Sequence, residues 1–159
     1  MHTLVLIRHA KATSPYKGIE DTLRPIAAKG YQQLEVLAQC DALKLQLPDR
    51  IYVSPSVRTY TTAIALMSAL GIDDDRLHLA PALYEASGDA LWQFLRKRAM
   101  PSQQRVFWLV GHAPGLDELV ALLSGQAAKA MKPGAVAVLQ SEGWMAGGYQ
   151  LIAEEKSKL

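Results

Sequence analysis

The sequence predicts an α/β fold in three layers, α/β/α, around a mostly parallel central sheet. Two observations carry this. Short apolar runs alternate with amphipathic stretches in the order strand, helix, strand, helix, strand, helix, strand, helix, strand, the order that a parallel sheet with crossover helices requires. The first run, Leu4–Ile7, is continuously apolar, as expected of a strand covered on both faces.

The elements follow in turn. After Leu4–Ile7, the spacing of Leu34, Leu37, Ala38 and Leu45 predicts one helix from about Pro25 to Leu45. Ile51-Tyr52-Val53 is the second strand. Ser54 and Pro55 read as the N-cap and first position of the next helix, which Gly71 closes. Leu77-His78-Leu79 is a brief edge strand. Leu91, Phe94 and Leu95 mark a helix that ends in Arg96-Lys97-Arg98 and stops before Pro101. Positive charge suits such a helix end. Residues 105–110 form a strong fourth strand. A helix entered through Pro114 ends near Gly125, and residues 135–140 form a fifth strand. GWMAGGYQLIAE reads as a terminal hairpin with Gly147-Gly148 in its turn. No repeat, linker or low-complexity stretch interrupts the order, so one domain over residues 1–159 is expected.

Composition narrows the function. A net charge of +2 is too small to argue for nucleic acid or an anionic membrane surface as a partner. No apolar run approaches the ~20 residues of a membrane span, and LVLI is too brief for a signal peptide core. Cys40 is the only cysteine, which rules out an internal disulfide and fits a cytoplasmic protein. The four histidines, His2, His9, His78 and His112, include no close pair at ligand spacing, so no metal and no cofactor is expected. Asp73-Asp74-Asp75 reads as a solvated loop. Trp92, Trp108 and Trp144 read as core or half-buried aromatics.

Three strands end in similar chemistry. The first runs into Arg8-His9. The second ends in Ser54-Pro55, with Arg58 in the first turn of its helix. The fourth ends in Gly111-His112, with Ala113-Pro114 opening a helix. Ligands of open α/β sheets bind outside the carboxyl ends of the strands. Any one of these side chains alone would be read as structural or merely exposed. If the three strands lie side by side, two arginines and two histidines share one crevice, and two helix N-termini add backbone donors. Such a pocket suits phosphate, whose oxygens match the fork of arginine.

These residues also resemble a family. LIRHAKA is similar to the signature of the histidine phosphatase superfamily, which has a phosphoglycerate mutase-like fold and in which Arg-His is usually followed by Gly. DTLRPIAAKG, SPSVRTYTTA and VGHAPGL resemble its later motifs in the same order, from about Thr3 to Val138. The short length, Arg-His-Ala-Lys and Asp-x-x-Arg-Pro resemble most the SixA-type branch, the protein phosphohistidine phosphatases. The resemblance implies that His9 is the nucleophile and that Arg8, Arg58 and His112 bind the phosphoryl oxygens. Ala10 stands where Gly is usual. Ala113 stands where the acid-phosphatase branch has its Asp donor, which disfavours that branch. Glu85 lies just after the third strand, where the superfamily often has its carboxylate donor; it reads equally as a surface glutamate near a helix start.

The reading that follows is a metal-independent phosphatase with a phosphohistidine enzyme intermediate, acting as a monomer on phosphohistidine of a signalling protein. The alternatives are a phosphatase for a small phosphate ester such as a sugar phosphate, and a non-catalytic phosphoprotein-binding module. Imidazole, with a pKa of roughly 6.5, leaves far more easily than an alkoxide, so a weak or absent acid favours phosphohistidine. Asp21 and Arg24 are expected to pair and pin the loop after His9, Lys11 to add positive potential at the mouth or be solvated, and Thr61 to pack on its helix.

Overall fold

The computed structural model describes residues 1–100 and 103–156. A six-stranded sheet is built from β1 (His2–Arg8), β2 (Arg50–Val53), β3 (Leu77–Leu79), β4 (Val106–Gly111), β5 (Val136–Ser141) and β6 (Gln150–Glu155), in the spatial order β3-β2-β4-β1-β5-β6. β3, β2, β4 and β1 run parallel, and β5 and β6 are antiparallel to their neighbours. The sheet is therefore mixed and mostly parallel.

Alternation along the strands makes the three layers. Leu4, Leu6, Tyr52, Phe107 and Leu109 face one side, where α4 (Gly88–Arg98) and α5 (Gly115–Ser124) cover them with Leu91, Leu95, Leu116 and Leu119. Val5, Ile7, Ile51, Val53, Trp108 and Val110 face the other side, under α1 (Ala28–Leu37) and α3 (Val57–Leu70) with Leu34, Leu37, Leu66 and Met67. Successive strand residues point to opposite faces, so a central strand covered on both sides must be apolar throughout, as β1 is.

Several sequence expectations need correction. The helix expected over Pro25–Leu45 is two helices, α1 and the short α2 (Asp41–Lys44). It starts late because Ile26 bridges Ala12 and the Ala27 amide bonds to the Lys11 carbonyl. It breaks because the Gln39 and Cys40 amides turn back to Val36 and Leu37. Leu45, expected on the core face, is exposed. The N-cap of α3 is Ser56, whose Oγ accepts from the Thr59 amide; the Ser54 amide instead extends the sheet ladder to the Val110 carbonyl. β6 pairs with β5 rather than within a separate hairpin, and Trp144 is no strand residue but stacks on His2 at 3.9 Å. The stop expected at Pro101 lies outside the described residues.

The reversal at β5 has a simple cause. α5 returns from the carboxyl end of β4, and the coil after Gly125 runs back again before β5 begins. The Gly134 amide donates to the Arg8 and His9 carbonyls and the Ala135 carbonyl accepts from the Arg8 amide at the end of β1, so β5 starts where β1 stops. This return coil also carries Met131 to the site. Among the described residues no helix is long and apolar enough to cross a membrane.

Candidate active site

The spatial order β2-β4-β1 sets side by side the three strands whose ends were singled out. Their carboxyl ends bring Arg8, His9, Ser54, Arg58 and His112 together. The His9 and His112 rings lie 5.6 Å apart, and His9 feels the charges of Arg58 and Arg8.

His9 is buried, 7% exposed. Its Nδ1 lies 2.7 Å from the Ala10 carbonyl oxygen. A carbonyl only accepts, so Nδ1 carries the proton and Nε2 keeps its lone pair. Burial pushes the His9 pKa down to about 3, against a weaker upward pull from that carbonyl, with Arg58, His112 and Arg8 lowering it further. The ring is neutral at ordinary pH. Ala10, fully buried, is held through its amide by Thr62 Oγ1, which in turn donates to the Arg58 carbonyl at 2.8 Å. The hydroxyl of Thr62 thus ties α3 to the loop after β1.

Both arginines are anchored at one end. Arg8 Nη1 donates to the Met131 carbonyl at 2.6 Å. Met131 itself donates its amide to Asp117 Oδ1 at 3.0 Å. Arg58 donates Nη1 to the Asp21 carbonyl at 2.7 Å and Nη2 to Asp21 Oδ2 at 2.8 Å. The Nε–H groups of Arg8 and Arg58 are buried and have no protein partner among the described residues. Buried donors are almost always paired, so two such groups in one crevice mark a place for an acceptor from outside the chain.

Asp21 is the residue whose role is larger than its sequence neighbours suggest. It pairs with Arg24 as expected, with Nε at 2.9 Å, and Arg24 Nη1 also bonds to the Thr13 carbonyl. Asp21 additionally accepts from Arg58 and from the Tyr84 hydroxyl, at 2.5 Å. The hydroxyl of Tyr84, then Arg58 and Arg24, hold the Asp21 carboxyl well below the usual carboxylate range, against its desolvation. The Tyr84 ring meets His112 edge-on at 5.5 Å.

His112 Nε2 lies 2.8 Å from Ser54 Oγ, and its Nδ1 faces Arg58 Nη2 at 3.5 Å. Burial, then Arg58, lowers its pKa to about 4. Glu85 is exposed and lines a cleft of about 430 Å³ together with Asp21, Arg58, Tyr84, His112 and Glu118. Its backbone is left-handed, φ +56°, a conformation that costs a non-glycine residue on the order of 1 kcal/mol and clusters at functional sites. Lys11 is exposed, as are Asp73, Asp74, Asp75 and the Arg96-Lys97-Arg98 run. Among the described residues no three His, Cys, Asp or Glu side chains converge as a metal ligand set. Within the 80–105 stretch, Tyr84, Glu85, Ala86 and Ser87 line the cleft, and α4 packs its apolar face in the core.

Comparison with known proteins finds a matching family and matching folds. The model of the histidine phosphatase superfamily (branch 1) matches residues 4–132. A structure designated phosphohistidine phosphatase SixA, from Agrobacterium tumefaciens, superposes with a TM-score of 0.83 at 23% identity over 98% of each chain. One so designated from Nakamurella multipartitia gives 0.79 at 25% identity, covering 99% of this chain and 97% of that one. A protein histidine phosphatase SixA in complex with tungstate gives 0.81 at 18% identity, over 96% of this chain and 95% of that one. No curated protein matches the sequence.

Proposed function

Since the chain belongs to the histidine phosphatase superfamily (branch 1) and is a phosphatase of that kind, we propose that it removes the phosphoryl group from phosphohistidine on a protein, through a phosphohistidine intermediate on His9. The observation that carries this reading is the free Nε2 lone pair of a buried, neutral His9 beside two buried, unpartnered arginine Nε–H groups.

In the first step His9 Nε2 attacks phosphorus in line. The bond from phosphorus to the substrate imidazole nitrogen breaks, and that nitrogen takes a proton from water or from Glu85. In the second step water attacks phosphorus, the bond to Nε2 breaks, and inorganic phosphate leaves with His9 neutral again. Splitting one displacement into two is the gain of covalent catalysis. Arg8 and Arg58 supply positive charge to the equatorial oxygens of a loose transition state, a task of electrostatics and positioning. Asp21 and the Met131 carbonyl fix the two guanidinium groups beforehand, so little reorganisation is needed. Ser54 can donate or accept: facing Arg58 Nη2–H, His112 Nδ1 is the accepting nitrogen and Nε2–H donates to Ser54 Oγ, and donation from His112 to a phosphoryl oxygen takes the other tautomer, with the Ser54 hydroxyl donating to Nε2 and Nδ1 protonated.

Two observations favour a phosphorylated protein over a small ester. The cleft opens to solvent, and Glu85, the carboxylate that the family resemblance marks as a proton donor, is exposed. An exposed carboxylate suits a leaving group that needs little help. One of the structures of the same fold holds tungstate, an oxyanion close to phosphate in shape. The deciding experiment is hydrolysis of a panel of phosphohistidine proteins and small phosphate esters. Turnover of phosphohistidine well above that of unactivated alkyl phosphates supports the reading; the reverse order promotes the ester alternative.

A further inference from the structure

The cleft beside the phosphoryl site is charged unevenly. Its charged lining consists of Asp21, Arg58, Glu85 and Glu118. Arg58 Nη2 pairs with the Asp21 carboxylate, which Arg24 shares, and Nη1 donates to the Asp21 carbonyl, so the positive charge of Arg58 and its buried Nε–H serve the phosphoryl group. The other charged residues that line the cleft are Glu85 and Glu118; Arg24 and Arg8, whose charges reach His112, are bonded to Asp21 and to the Met131 carbonyl and are not among the lining residues.

These two carboxylates are built into the wall. Glu118 Oε1 accepts from the Gly88 amide at the start of α4, at 2.9 Å, which fixes the group without removing its charge. The contact is close because Gly88 has no side chain: a Cβ there would lie 2.6 Å from that of Glu118. A Cβ on Gly115 would likewise meet the Ala86 carbonyl oxygen. The first turns of α4 and α5 are thus pressed together, and they set Glu118 in the same wall as Glu85, which sits in its left-handed conformation. Ala113 and Pro114, next to His112 in the chain, also line the cleft and have no side-chain donor.

Resting on the phosphatase reading above, we propose that Glu85 and Glu118 make this cleft selective for leaving groups that are neutral or cationic, and that they reject those with a second negative charge. The substrate class is then a phosphoryl group on imidazole within a segment bearing lysine or arginine, and not a bisphosphate or a phosphorylated carboxylic acid. Coulomb attraction of a unit charge at about 4 Å in water is worth roughly one factor of five to ten, so two carboxylates at somewhat greater distance are expected to give about a 10-fold preference.

The test uses three aryl phosphates that differ only at the far end of a two-carbon arm: 4-(2-aminoethyl)phenyl, 4-ethylphenyl and 4-(2-carboxyethyl)phenyl phosphate. The arm insulates the phenol, so the leaving groups are matched. The expected order of kcat/KM is ammonium, then neutral, then carboxylate, with about 10-fold between the ends and a smaller spread at high salt. Where turnover is too slow to compare, the same order is expected in dissociation constants measured on His9→Ala. Glu118→Gln, which keeps an oxygen for the Gly88 amide, is expected to narrow the spread, and Glu85→Gln with Glu118→Gln to abolish it. Equal or better use of the carboxylate compound, or an unchanged spread in the double variant, overturns the proposal. A protein that ignores phosphohistidine yet keeps this order would refute the proposed function and leave the charge selection standing.

Discussion

Arg58 is held by Asp21 at two points: Nη1 donates to the Asp21 carbonyl at 2.7 Å, and Nη2 donates to Oδ2 at 2.8 Å. The pair turns the guanidinium so that Nε, and not the fork, is left without a protein partner. In this account Asp21 positions Arg58 rather than touching substrate. Asp21→Asn keeps the backbone contact and loses the charge. It is expected to lower kcat roughly 10-fold, a scale set by a misplaced charged donor, while tungstate inhibition is kept or strengthened because Arg58 is no longer neutralised. Tyr84→Phe, which removes one of the donors to the same carboxylate, is expected to act in the same direction and more mildly. Steady-state kinetics with tungstate inhibition checks both; unchanged kcat in Asp21→Asn would contradict the positioning role.

The two anchored arginines are expected to matter more for the reaction than for the fold. Loss of one donor aimed at developing charge typically costs ~10²–10³ in rate. Arg8→Ala and Arg58→Ala should each lose that much kcat, and vanadate and tungstate should compete with substrate in the wild type. Full activity in Arg58→Ala would mean that the convergence of the three strand ends is not the phosphoryl site.

Glu85 separates the two enzyme readings. On an alkyl phosphate, Glu85→Gln is expected to lose roughly 10²-fold or more in kcat, the usual scale of general acid catalysis. On phosphohistidine the loss should be much smaller, because imidazole leaves readily. Comparing the two substrates in one variant checks this. Brisk wild-type turnover of a sugar phosphate, lost on changing Glu85, would make the ester the substrate.

Acid should weaken the fold in a defined window. Buried His2 stacks on Trp144 and hydrogen-bonds the Tyr149 hydroxyl. Burial first, then the N-terminal ammonium, lowers its pKa from 6.5 to about 4. The unfolded chain takes up the proton first, so the stability His2 contributes is complete above pH 6.5 and is lost progressively as pH falls to about 4. His9 and His112 shift in the same direction and add to the loss. Asp21, whose pKa is lowered, adds nothing until the pH falls below its ordinary value of 3.8. Thermal melts between these limits should show a falling Tm, and His2→Phe, which keeps a ring for the stack, should fall less steeply. Equal slopes for the two proteins would contradict this assignment.

The parts of the site carried by strand ends were legible in the sequence, because an apolar run that stops abruptly in Arg8-His9 or Gly111-His112 announces both burial and direction. The order β2-β4-β1 then did what the reading of those ends required. What stayed hidden depended on distance along the chain. Asp21 has a near partner in Arg24, three residues on, which masked its bonds to Arg58 and Tyr84, 37 and 63 residues away. Hydrophobic pattern reports burial and not strand direction, so the fifth strand was legible but its antiparallel run against β1 was not. It also continued across the break between α1 and α2, where only the backbone turns. Ser54, read from the sequence as the helix cap, is buried against His112 and belongs to the site, and Ser56 caps the helix instead.

The central claim is that His9 carries the phosphoryl group during turnover. Wild-type enzyme denatured in alkali during steady-state hydrolysis, digested and read by mass spectrometry, should carry a phosphate on the His9 peptide that acid removes, and His9→Ala should remain folded and show neither this phosphate nor turnover. Hydrolysis undiminished in His9→Ala, or a trapped phosphate on another residue, would contradict the account.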